Sequence, residues 1–261
     1  MLDIYIPSYK RENAPLIKKL IDAKLPFTIV LDHAQDLIDY APLESDTVSI
    51  LYIEKALGIG YIRQCIKDRY KGVPVIMLDD DTQLRLRKFD NPTRLDSCTT
   101  PAQTIKWFRN IDRFCQNYKF DIGSAAESFT NYMMTEKILK KGTLCSVTIF
   151  NSERCHEIDY DPKLYKRMED HDLILQGITK NFDFLIDNEV LRHCPMNKEA
   201  KDEGGCSEIY QDDLVMYQTT QYLIKKWGDD VVKLRKNKRI GNYYDFTVDY
   251  ALLRKRYGYD Y

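Results

Sequence analysis

The chain has 261 residues, of which 44 % are hydrophobic and 30 % charged, and its formal net charge is -1. Such a composition suits one large globular domain or a domain with an elaborated C-terminal part. It excludes a disordered chain and a protein drawn to nucleic acid by bulk charge. The seven cysteines (Cys65, Cys98, Cys115, Cys145, Cys155, Cys194, Cys206) are odd in number and lack CxxC spacing, which favours reduced thiols over a disulfide frame or a zinc site.

Met1-Leu2-Asp3-Ile4-Tyr5-Ile6 enters a strand directly, without a leader pattern, and no apolar run reaches membrane-spanning length. A cytoplasmic protein with no membrane contact is expected. Leu2–Ile6 is the first strand, followed by a turn at Pro7-Ser8-Tyr9 and a helix from about Glu12 to Lys24. Phe27–Leu31 is the second strand and ends in Asp32. Val48–Ile53 is the third, after which Gly58-Ile59-Gly60 opens a helix carrying Arg63. Val73–Leu78 is the fourth, nearly all apolar. This βαβ rhythm predicts a mostly parallel sheet flanked by helices.

Thr100-Pro101 caps a further helix, with Ile105, Phe108 and Ile111 on one face. Leu144–Phe150 and Phe184–Val190 read as later strands, with a helix over Asp172–Lys180 between them. A C-terminal amphipathic helix over Gln211–Trp227 stops before Gly228. The division expected is a core over residues 1–210 and a helical, basic extension over 211–261 packed on the same domain.

The fourth strand runs into Asp79-Asp80-Asp81. In open α/β sheets ligands sit at the carboxyl ends of the strands. Three adjacent carboxylates repel one another unless a cation neutralises them. Hard oxygen ligands point to Mg²⁺ or Mn²⁺ shared with a phosphate-bearing substrate; the alternative is a solvated acidic turn.

Other segments fall at the same edge. Pro7, Ser8 and Arg11 follow the first strand, where they can hold a ribose or base, and Asp32 can accept a hydrogen bond from either. Gly58 and Gly60 permit close backbone approach at a helix N-terminus, whose dipole favours phosphate, and Arg63 adds a fixed positive charge. The same glycines also suit a plain strand-to-helix turn. Glu169 and Asp170 open a helix, either as caps or as carboxylates placed to take a proton from an acceptor hydroxyl.

Together, Ile6-Pro7-Ser8, the strand ending in Asp32, Gly58-Ile59-Gly60-Tyr61-Ile62-Arg63-Gln64, Asp79-Asp80-Asp81 and Glu169-Asp170 resemble the GT-A glycosyltransferase pattern. More narrowly, the chain resembles the bacteriophage TET/JBP-associated glycosyltransferases, which modify hydroxymethylpyrimidines in DNA. The likeness covers roughly residues 1–215. It departs at Gln64, where the family often has Asn. The resemblance implies a GT-A-like (Rossmann-like) fold and a Mn²⁺- or Mg²⁺-dependent enzyme. That enzyme would move a glucose- or arabinose-type sugar from a nucleotide-sugar donor, UDP-linked by preference, with inversion. A phage-encoded chain of this kind would act in the cytoplasm of the infected host.

The resemblance also implies roles. Asp79 and Asp81 would be the outer aspartates of the Asp-x-Asp motif, one on the sugar or ribose and one on the metal, with Asp80 a candidate if the frame shifts. Asp170 would be the general base, with Glu169 orienting it or the acceptor. His193 would be a further metal ligand; otherwise it is structural. Gly204 and Gly205 would close a loop over donor or acceptor, with Lys198 and Lys201 facing the diphosphate.

A DNA acceptor should leave a basic footprint. Candidates are Arg85, Arg87 and Lys88 after the aspartates, and the run from Lys225 to Arg239, which includes Lys233, Arg235 and Lys236 against only Asp229 and Asp230. Arg254-Lys255-Arg256, beside tyrosines able to stack on bases, is a third. Each is otherwise a solvated helix face. A glycan, lipid or protein acceptor would use the same donor site.

Overall fold

The computed structural model describes residues 2–88, 91, 93–128, 136–140, 144, 146–193, 213–236 and 244–258. Four parallel strands form the N-terminal half of the main sheet: β1 (Asp3–Pro7), β2 (Phe27–Leu31), β3 (Val48–Tyr52) and β4 (Val75–Leu78), in the order β3-β2-β1-β4. The register pairs Ile6 with Ile29 and Ile4 with Ile76, so the apolar runs stack in the sheet centre. β4 starts two residues later than Val73, because Pro74 has no N–H for the ladder and contributes only its carbonyl, to the Asp3 amide.

The helices between these strands are α1 (Pro15–Asp22), α2 (Ala34–Tyr40) and α3 (Ile59–Lys67). α1 is shorter than the expected span from Glu12 to Lys24. Its proline at the first position sets the start, and Ala23 caps the end.

Beyond β4 the sheet becomes mixed. β5 (Gln83–Arg87), β6 (Leu95–Ser97), β7 (Ile122–Glu127), β8 (Ile138–Leu139), β9 (Val147–Phe150) and β10 (Phe184–His193) complete it in the order β4-β9-β7-β10-β5-β6, with β8 on β10. β9 runs antiparallel to both β4 and β7, and β10 is parallel to β7. The carboxyl ends of β1, β2, β3, β4, β7 and β10 therefore share one edge. β10 extends past Val190 to His193, which brings that histidine to the same edge.

One face of the sheet carries α1 and α4 (Pro101–Asn117), burying Leu16, Leu20, Trp107, Phe108 and Ile111. Thr100 and Gln103 form a reciprocal capping box on α4, with Pro101 at its first position. The opposite face carries α3, α5 (Glu169–Thr179) and α6 (Asp213–Trp227), burying Ile62, Ile66, Leu173, Ile174 and Leu223. The C-terminal part is more than helical. A hairpin of β11 (Val232–Lys236) and β12 (Tyr244–Val248) lies between α6 and α7 (Tyr250–Arg256). Val231, Val232 and Leu253 from this part join the same core.

Candidate active site

The turn after β4 is closed by the Thr82 amide on the Asp79 carbonyl at 3.0 Å and tied to β9 by the Asp79 amide on the Ser146 carbonyl at 3.0 Å. Its three carboxylates face different partners. Asp79 Oδ1 accepts from Arg63 Nη2 at 2.6 Å. Asp80 accepts from Arg11 Nη1 at 3.0 Å and from the Ser8 hydroxyl at 2.5 Å. Asp81 accepts from the same Arg11 nitrogen at 3.2 Å. Asp80 has 7 % of its side chain exposed against 33 % for Asp79 and 35 % for Asp81, so the middle carboxylate faces inward and the outer two are partly open to solvent.

Burial pushes the Asp80 carboxyl up to about 6, although Ser8 and Arg11 oppose it. The Ser8 hydrogen is committed to Asp80, so in the 2.7 Å contact between the two hydroxyls Tyr40 is the donor. The Tyr40 oxygen in turn accepts the Arg11 amide at 2.8 Å. Tyr40 carries no sequence motif; its role appears only in this buried strut, which fixes the β1 loop to the aspartate turn.

Gly58 and Gly60 are present because something approaches closely, and the partner is the chain itself. Gly58 has φ +110°, and a Cβ there would stand 2.7 Å from the Tyr165 carbonyl oxygen. A Cβ on Gly60 would stand 2.8 Å from the Tyr165 Cα, and the Gly60 amide donates to the Tyr165 carbonyl at 2.8 Å. This contact seats α3 against the loop leading into α5. Arg63 then reaches Glu169 Oε1 through Nη1 at 2.7 Å while Nη2 holds Asp79. Gln64 serves the same junction, accepting the Tyr160 amide at 2.8 Å and donating to Asp159.

α5 begins three residues earlier than the span from Asp172, with Glu169, Asp170 and Asp172 in its first turn. Two neighbouring carboxyls there are driven apart. Burial raises Glu169, and the Asp170 charge adds to this while Arg63 opposes it. Burial also pushes Asp170 up, but the charge of His171 when that ring is protonated, together with Arg63 and backbone amides, outweighs it and holds Asp170 below the ordinary carboxylate range. Asp170 is thus held in its ionised form. Asp172 is fully buried and spent on structure: it accepts from Trp227 Nε1 at 2.8 Å, Gln176 at 2.7 Å and Lys226 at 2.9 Å.

At the same edge, Asp32 is buried and pairs with His33 Nδ1 at 2.7 Å. The His33 ring lies 4.4 Å from that of Tyr9 and is tilted 40° to it, a pair with no motif in the sequence. His193 is buried, with Nδ1 3.4 Å from the Ser128 hydroxyl. Among the described residues no three His, Cys, Asp or Glu side chains converge as a ready-made metal site. The donor set nevertheless fits a hard cation. Asp79 and Asp81 offer partly exposed carboxylates on one turn, each of which now accepts from a guanidinium whose place a hard cation would take.

The basic candidates separate. Arg87 binds the Asn188 carbonyl at 2.8 Å and its side-chain oxygen at 2.7 Å, and Arg85 lies half-buried in β5 with Nε enclosed. Lys226 is paired with Asp161 and Asp172. Lys233 and Arg235 are exposed on β11, whereas the side chain of Lys236 lies outside the described residues. Lys198, Lys201, Gly204 and Gly205 also lie outside them.

No family model and no curated protein matches the sequence. Solved structures do match. GalNAc-T7, in a complex with UDP, GalNAc and Mn²⁺, superposes with a TM-score of 0.52 at 11 % identity, over 74 % of this chain and 43 % of that one. The fold is of the GT-A type. S. aureus TarS 1-349 aligns at TM-score 0.47 and 13 % identity, and the mannosyltransferase PcManGT from Pyrobaculum calidifontis, bound to GDP-Man and Mn²⁺, at 0.49 and 14 %. These two alignments cover 85 % and 86 % of this chain, which spans 65 % and 64 % of the matched chains. Among the described residues no helix is long and apolar enough to cross a membrane.

Proposed function

We propose that the chain is a metal-dependent glycosyltransferase. It moves a glucose- or arabinose-type sugar from a nucleoside diphosphate, UDP by preference, to the hydroxymethyl oxygen of a 5-hydroxymethylpyrimidine in DNA, with inversion. The observation that carries the reading is Arg63. This one side chain joins the aspartate turn to the start of α5 and so sets an ionised Asp170 beside Asp79 at the ligand edge of a GT-A fold.

Asp32, with the Tyr9 and His33 rings, receives the base and ribose at the mouth of the cleft. Asp81 and Asp79 would hold Mn²⁺ or Mg²⁺ together with the donor's phosphates, and the ion when bound supplies charge neutralisation for the leaving diphosphate. His193, the third ligand that the resemblance implies, does not converge with them among the described residues. Arg11 and Arg63 add fixed positive charge; Lys198, Gly204 and Gly205, to which the resemblance gives a donor role, lie outside the described residues. Asp170 takes the proton from the acceptor hydroxyl as the new C–O bond forms, since that hydroxyl is far too weak an acid to ionise beforehand. Glu169, paired with Arg63, holds the start of α5 in place.

Two observations support the acceptor side. The exposed Lys233 and Arg235 flank Leu234, whose cross-strand partner Phe246 touches the His171 ring next to Asp170. The basic strand thus belongs to a hairpin whose opposite face packs beside the candidate base, with the Phe246 and His171 side chains between them. The test is mass spectrometry of hydroxymethylcytosine- and hydroxymethyluracil-containing DNA incubated with the protein, Mn²⁺ and a panel of nucleotide sugars. A hexose or pentose mass increment on the modified base is expected. Donor turnover with no increment on DNA would move the acceptor to a glycan, lipid or protein.

A further inference from the structure

His171 directly follows Asp170 and lies under the C-terminal part of the chain. Its ring meets Phe246 of β12 edge-on, centroids 4.8 Å apart at 90°, and lies within 9° of parallel to the Tyr250 ring of α7. The Tyr250 hydroxyl is hydrogen-bonded to His171 Nδ1. The other ring nitrogen, Nε2, stands 4.0 Å from Asp170 Oδ1, the oxygen that also accepts the His171 amide at 2.8 Å.

A neutral imidazole carries one hydrogen, and the bond made by one nitrogen decides what the other presents. A phenol donating to Nδ1 leaves the hydrogen on Nε2, the nitrogen facing Asp170. We infer that Tyr250 fixes His171 in the Nε2–H form and that His171 in turn orients the Asp170 carboxylate, which makes both of them positioning residues for sugar transfer. At 4.0 Å the influence runs through the N–H dipole, since a direct hydrogen bond is shorter. The inference rests on Asp170 being the base. It also ties the base to the hairpin that would meet the acceptor, because Phe246 of that hairpin packs on the same ring.

Long-range proton–nitrogen NMR of the full chain labelled at histidine nitrogen distinguishes the two tautomers on the alkaline side of the ordinary imidazole range. H171Q assigns the signal among the four histidines. The parent protein should show His171 as Nε2–H. Tyr250→Phe should shift it toward Nδ1–H and lower kcat about tenfold, the scale of one hydrogen bond, with donor KM unchanged. H171Q, which keeps an N–H donor, should retain more turnover than His171→Ala. An Nδ1–H signal in the parent, or a Y250F variant with the parent's tautomer and kcat, overturns the inference. If Y250F does not fold, the parent tautomer and the ratio of H171Q to H171A turnover decide it. Full turnover in Asp170→Asn would instead sink the base assignment, a result separable from the tautomer measured without substrate.

Discussion

Arg63 and Glu169 are 106 residues apart in sequence and form a buried ion pair at 2.7 Å. The guanidinium is held as a fork, since its second nitrogen binds Asp79 at 2.6 Å. Removing it would leave Glu169 buried without its cation and Asp79 facing Asp81 uncompensated. Arg63→Met should therefore cost about 3 kcal/mol in urea unfolding, the usual scale for breaking a buried pair from one side, and reduce turnover to background. Arg63→Lys restores charge without the fork, so it should recover part of the stability and little of the activity. Unfolding midpoints within error of the parent for Arg63→Met would show that the pair is not structurally important.

Asp170 separates binding from chemistry. Asp170→Asn should leave nucleotide affinity intact and lower kcat about 10²-fold or more, the scale of a positioned base. Nucleotide titration by calorimetry and initial rates of donor consumption check the two halves. Normal turnover would reduce Asp170 to a helix cap. Asp172 is then no substitute, because Trp227, Gln176 and Lys226 already occupy it.

The first four strands were legible because each is a short, nearly continuous apolar run, and parallel strands place their carboxyl ends at one edge. That argument alone brings Ser8, Asp32 and Asp79 together. It does not say which aspartate faces inward, since the choice of Asp80 by Ser8 and Arg11 depends on side-chain directions around a turn. Gly58 and Gly60 announce a close approach, but only the fold reveals that Tyr165 is what approaches. The hairpin was readable in principle. Val232-Lys233-Leu234-Arg235 alternates with the period of a strand, a pattern that a count of charges hides. Tyr40, Tyr250 and His33 carry no motif, and their roles arise only from contacts distant in sequence.

Asp187 offers a pH test independent of the cleft. It is buried at the irregular point of β10, its Oδ1 accepts the Glu189 amide at 2.8 Å, and burial pushes its carboxyl up to about 7. In the unfolded chain an aspartate titrates at about 3.9. The folded state therefore holds a proton that the unfolded chain releases. Its stabilising contribution is complete below about pH 4 and is lost as pH rises through about 7. Asp187→Asn, neutral throughout, should flatten the fall in stability across that window and be the more stable form above it. Urea unfolding at a series of pH values checks this; a slope equal to the parent's would assign the effect to other groups.

Metal should be read through the donor. The described residues offer few ready ligands, so Mn²⁺ should bind weakly alone and tightly with the nucleotide, whose phosphates complete its shell. Calorimetry of UDP binding should show a large loss of affinity with EDTA, and Asp81→Asn should remove the difference between metal and EDTA. Affinity that is unchanged by EDTA would eliminate the metal role.

The acceptor is tested through the exposed strand. Lys233 and Arg235 lie on β11, on either side of Leu234, outside the donor turn and outside the contacts of Arg63. Contacts from such residues to phosphates carry no sequence information. Replacing both with Glu should weaken duplex binding uniformly across sequences and flatten its salt dependence, because fewer counterions are released. Donor hydrolysis without acceptor should be unchanged. Filter binding at several salt concentrations, with hydroxymethylated and plain duplexes side by side, measures both effects. If the parent shows no DNA affinity even at low salt, the hairpin's charge serves another purpose and the acceptor is not DNA.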